Sequence, residues 1–121
     1  MSDYSFQSET GNSDNFVYEN WDKMTRVYLR SVMNQSLLDE HRSSSGSHYS
    51  EPLMRLLAWC QRRPLSEQYA VKHESDGAYR IISFIGRRGS RPIYVGDERF
   101  ATLKEARHGI LLCHVHDLEG R

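Results

Sequence analysis

The hydrophobic period of this chain changes twice within residues 51–118, and that change limits the folds open to it. Leu53, Leu56, Leu57 and Cys60 recur at i, i+3, i+4 and i+7, the spacing of one helix face. Tyr69, Val71 and His73 then alternate over residues 68–73. Residues 78–86 form the strongest strand pattern, with Ile81, Ser83 and Ile85 on one face and Ile82 and Phe84 on the other. Glu74-Ser75-Asp76-Gly77 reads as a hairpin turn, and Pro92–Val95 starts a third strand. Helical spacing returns at Leu103, Ala106, Ile110 and Cys113, with Leu111, Val115 and Leu118 as a second stripe. The expected fold is α+β: α-β-β-β-α, a three-stranded antiparallel sheet with two helices on one face. A sheet backed by one long helix is the alternative, and the helical pattern at residues 52–62 argues against it.

Boundary residues agree with this reading. Ser50 is a plausible N-cap with Pro52 in the first turn, and Pro64 stops the first helix. Thr102 followed by Glu105 fits a capping box for the last helix. Gly109 inside that helix costs roughly 1 kcal/mol relative to Ala, which suggests close backbone approach by a neighbour.

The first fifty residues are different. Residues 1–14 are polar and read as a disordered leader, and residues 15–41 as an amphipathic helical extension. In that extension Val17, Trp21, Met24, Tyr28 and Val32 recur at 4-3-4-4 spacing. Residues 42–50, with the run Ser43-Ser44-Ser45-Gly46-Ser47, read as a flexible linker before the domain at 51–118. One amphipathic helix cannot bury its own face, so this stripe docks on the domain, on a second copy or on a partner.

Residues 1–50 hold 4 Lys/Arg against 7 Asp/Glu, and residues 51–121 hold 12 against 9. The second part can bind an anion, yet it is far less basic than a protein that coats nucleic acid indiscriminately. Cys60 and Cys113 both sit in helical apolar patterns and read as buried thiols. No apolar run reaches the ~20 residues of a membrane span, and no secretory signal is read, so an intracellular site, nuclear or cytoplasmic, is expected.

The element order, with the stretches EPLMRLLAWCQRR, YAVKHESDGAYRIISFI and TLKEARHGILL, resembles the double-stranded-RNA-binding domain over roughly residues 51–118. In that family the basic start of the last helix grips phosphates across a major groove, while the first helix and hairpin loop reach minor grooves. The resemblance puts Thr102 on the motif's Ser, Lys104 on its second Lys, Ala106 on its Ala and Arg107 on its last Lys. Leu103 replaces the first Lys, and Asp76-Gly77-Ala78-Tyr79 lacks the Pro and His of the family loop. It implies RNA contacts at Lys104, Arg107, Gln61 and Thr102, with Arg87 and Arg88 extending the surface.

The expected function is a non-catalytic module that binds double-stranded or structured RNA. The alternative is a protein–protein or homodimerisation adaptor, with Trp21, Met24, Tyr28, Ile82 and Phe84 as its interface. No phosphate-binding glycine loop, metal-ligand helix motif or nucleophile elbow is read, so neither enzyme nor cofactor is expected. His114 and His116 beside Cys113 match metal ligands only in composition, and no metal is expected.

Overall fold

Two helices begin where a hydroxyl side chain meets their free backbone donors. The structure is a computed structural model that describes residues 4–43, 48–84, 89 and 91–120, with side chains from Phe16 onward. Its elements are α1 (Tyr4–Val32), α2 (Gln35–Ser43), α3 (Glu51–Gln61), a 3-10 turn (Leu65–Glu67), β1 (Tyr69–His73), β2 (Tyr79–Ser83), β3 (Ile93–Tyr94) and α4 (Leu103–Glu119). Ser50 Oγ accepts the Leu53 N–H at 3.5 Å to open α3, with Pro52 in its first turn. Thr102 Oγ1 accepts the Glu105 N–H at 3.1 Å to open α4. Asn34 ends the break after α1 by accepting the Leu37 N–H at 2.9 Å. Residues 1–3 of the expected leader, 44–47 of the linker, Ile85 of the expected strand, and Arg87 and Arg88 lie outside the described residues.

The protein is α+β, with four helices and a three-stranded antiparallel sheet among the described residues. The strand order is β1-β2-β3, with Val71 opposite Ile81 and Ile82 opposite Tyr94. Gly77, at φ 92, closes the β1–β2 turn in the left-handed region that a Cβ disfavours. No helix among the described residues is long and apolar enough to cross a membrane.

Helix packing departs from the sequence expectation. α4 is the helix laid on β1 and β2, while α3 packs on α1, α2 and α4. The main core lies among helices: Leu29 of α1, Leu37 of α2, Leu53, Leu56, Trp59 and Cys60 of α3, and Leu111, Val115 and Leu118 of α4. α4 therefore touches the sheet on one side and the other helices on the other. This accounts for its two apolar stripes. Gly109 marks the sheet-facing side, where a Cβ would lie 2.7 Å from Phe100 Cζ and 3.0 Å from Ile81 Cδ1.

A polar cluster holds α1 to α3. Arg63, with its side chain 3% exposed, donates from Nη2 to Asp22 Oδ1 at 2.5 Å and to the Tyr18 hydroxyl at 2.6 Å. Trp59 Nε1 donates to the same Asp22 oxygen at 2.8 Å, and Arg26 Nε donates to Asp22 Oδ2 at 2.8 Å. Burial alone would raise the Asp22 carboxyl. Hydrogen bonds from Arg26 and Trp59, with the charges of Arg63 and Arg26, outweigh it and hold the group below its ordinary range. Two further bonds tie α1 down: Tyr18 OH donates to Arg62 O at 2.7 Å, and Arg30 Nη2 to Leu118 O at 2.8 Å.

Asp22→Ala is expected to destabilise the chain by about 3 kcal/mol, because it takes the nearer carboxylate from the buried Arg63 guanidinium and leaves only Glu67, at 3.6 Å from Nη1. Urea denaturation checks this, and a loss under about 1 kcal/mol would contradict a stabilising anchor. Gly109→Val should lower stability by about 1–3 kcal/mol through overpacking, with partial recovery on adding Phe100→Ala. Independent additivity of the two changes would show that Phe100 is not what the new side chain meets.

Candidate functional site

A groove of about 830 Å³ runs beside α4, where the helix crosses the sheet and the segment leading into it. Ile81, Val95, Phe100 and Leu112 supply apolar lining, and Gly109 lets Phe100 approach the helix. Asp97, Glu98 and Glu105 bring carboxylates, Arg42 and Lys104 bring cations, and His108 and His116 bring imidazoles. Cys113 also lines the groove. Burial, then the charges of Asp117 and Glu98, push its thiol up, which keeps it protonated near neutrality. The buried Cys60 thiol is pushed up to about 12 by burial. Both cysteines are free. Among the described residues, no group of three His, Cys, Asp or Glu side chains is arranged to hold a metal ion.

Next to the groove, His41 Nδ1 lies 2.9 Å from His108 Nδ1, bridging α2 and α4. The ring centroids are 5.2 Å apart and the planes differ by 22°. That centroid distance equals the nitrogen separation plus the two ring radii, so the rings meet edge to edge. One proton serves the contact: one Nδ1 donates and the other must be bare.

The sequence-predicted residues do not form one surface. Thr102 is the α4 cap. Lys104 lines the large groove, whereas Arg107 and Gln61 line a separate cleft with His41, Leu57 and His114. Met24 is 65% exposed, while Trp21 and Tyr28 pack against the helical core. Ile82 is half-buried on the sheet face away from α4, between Ala70 and Tyr94, and Phe84 is half-buried just past β2. On that same face Arg80 stacks on Tyr94, 4.0 Å from the ring centroid.

The outward side of α1 was not separated from the inward one by sequence reasoning. Phe16, Val17, Met24 and Val27 are each about two-thirds exposed. The signal was present in the positions 16, 17, 24 and 27, which fall within about 100° of one side of a helix.

The family model of the N,N-dimethylformamidase alpha subunit matches residues 16–121. The chain belongs to that family. No match was found among curated proteins. Membership in an N,N-dimethylformamidase subunit family overturns the double-stranded-RNA-binding resemblance, the RNA-binding function read from it, and the expectation of a protein unconnected with catalysis. The geometry explains the failure. Element order was shared, but the core lies among four helices rather than between two helices and a sheet, and Lys104 and Arg107 open on different clefts. A subunit family also implies a protein partner.

Burial lowers the His41, His108 and His114 pKa values. Lys104 adds to this at His41, and His41 and Arg42 add at His108, against Asp39. At His114, Asp117 and Glu67 oppose burial and Arg63 assists it. Because the folded values lie below the ordinary 6.5, the unfolded chain takes up protons first. The histidines' contribution is thus complete above that value and is lost as pH falls through the lowered folded values. The melting midpoint should drop between about pH 7.5 and pH 5.5, and His41→Gln/His108→Gln should flatten the profile. An unchanged profile in the double variant would remove the pair from this account.

Proposed function

We propose that this chain is the alpha subunit of an N,N-dimethylformamidase, an assembly that hydrolyses the amide of N,N-dimethylformamide. Water adds to the formyl carbon, the C–N bond breaks, dimethylamine leaves with a proton, and formate remains. The family match across residues 16–121 carries this reading.

The scale of the groove bears on what this chain contributes. N,N-dimethylformamide has five heavy atoms, whereas a groove of about 830 Å³ is on the scale of drug-sized sites, roughly 300–1,000 Å³. It would hold so small a molecule loosely, and a loosely held substrate gains little from orientation. The substrate site of the assembly is completed by the partner subunit, and the alpha subunit contributes a prefolded surface to it.

The test is to purify the tagged full chain with its bound partner from the source cells and incubate it with N,N-dimethylformamide. Dimethylamine and formate should appear in equal amounts, and activity should leave the partner when the chain is stripped away. An intact assembly that releases neither product would remove the reading.

A further inference from the structure

We infer that the outward face of α1 docks the partner subunit of the assembly, and that the partner meets it with an apolar surface rimmed by carboxylates. This inference rests on the alpha-subunit reading above. Phe16, Val17, Met24 and Val27 are 65%, 66%, 65% and 63% exposed and lie along one side of the helix. At 1.5 Å per residue the stripe spans about 16 Å. Side chains of this size at this exposure present on the order of 400–500 Å² of apolar surface, the scale at which a patch marks an interaction site. A standard interface takes about 800 Å² from each partner, so the stripe would form its centre and neighbouring residues its rim.

One edge of that rim has a definite charge. Val17 stands one turn from Trp21, and Met24 one turn from Tyr28. Arg62 stacks on Trp21 at 4.9 Å and Arg55 on Tyr28 at 4.7 Å, measured to the ring centroids. Two arginines are thus held on aromatic rings beside the stripe; Glu51 pairs with Arg55 at 3.0 Å, so Arg62 carries the net positive charge of this edge, and Arg, Trp and Tyr are the types that dominate binding energy at interfaces. Carboxylates on the partner complement this edge. The face is also held in place before any partner arrives, because the opposite side of α1 is fixed through Asp22, Tyr18 and Arg30. Little ordering cost remains to be met on binding.

A second copy of the chain fits this face less well. An antiparallel two-fold pairing of α1 would set each edge that carries Arg62 against the same edge of its mate, net positive against net positive. The family is one kind of subunit of a named enzyme, which points to a different chain as the occupant.

The deciding variant is Val17→Glu/Met24→Glu in the full chain. Both positions face solvent, so the isolated variant should melt within a few degrees of wild type. Its affinity for the partner purified in the hydrolysing assembly should fall on the order of 100-fold. Arg55→Gln/Arg62→Gln should slow association and flatten its dependence on salt. A double glutamate variant that still holds the partner as wild type does would overturn the docking face while leaving the subunit reading intact. If the wild-type chain gives no hydrolysing assembly, the subunit reading fails first and takes this inference with it. If the isolated wild-type chain sediments as a dimer that the glutamates split, with partner binding unaffected, the face belongs to a second copy and the inference is overturned.

Discussion

The Arg63 guanidinium is buried almost completely, and the positions of α1 and α3 follow from how its charge is met. Removing a guanidinium from water is costly unless a carboxylate and further acceptors replace the solvent. Asp22 and the Tyr18 hydroxyl, both on α1, do so, and Trp59 adds its ring N–H to the same Asp22 oxygen. The guanidinium also lies over the Trp59 ring, 4.4 Å from its centroid. A charge pair of this kind has one good rotation of the helix, whereas apolar contacts alone tolerate several. It sets which residues of α1 turn inward, and so which stay in water.

α4 plays the corresponding part for the rest of the chain. It carries small residues toward the sheet, Ala106 and Gly109, and large ones toward the helices, Leu111, Val115 and Leu118. Small residues let Phe100 and Ile81 come close. On the helical side, His114 meets Trp59 and Tyr69 edge-on, linking α3, β1 and α4 through ring contacts. The sheet is thin, with β3 only two residues long, and it relies on α4 for cover.

From Ser50 onward the element types were legible because local signals decide them, whereas residues 4–14, expected as a disordered leader, lie in α1. Ser50 and Thr102 cap helices, Gly77 turns the hairpin, and the alternation at residues 69–83 makes strands. Layer order was less legible. A helix pattern says that a face is buried but not against what, so Leu53 and Leu56 fitted a sheet-packed helix as well as a helical core. The α1 stripe was misread for a related reason. Val17 and Met24 share helical spacing with Trp21 and Tyr28, but Asp22, a polar residue, sets the rotation that turns Val17 and Met24 outward. The sheet-backed-by-one-helix alternative anticipated the cover on the sheet, although α3 forms as well. Function was not legible because Lys104 and Arg107 resemble a phosphate grip only in their spacing, while in the fold they open on different clefts.

The central position of α4 bears on how the chain acquires its fold during synthesis. Leu111, Val115 and Leu118 come from the last element in chain order, yet they complete a core begun by Leu29 and Leu37. Until those residues emerge from the ribosome, α1 through α3 expose the apolar side chains that α4 will cover, and the sheet lacks its backing helix. A truncated form without α4 therefore loses the cover on the helical core and on the sheet together.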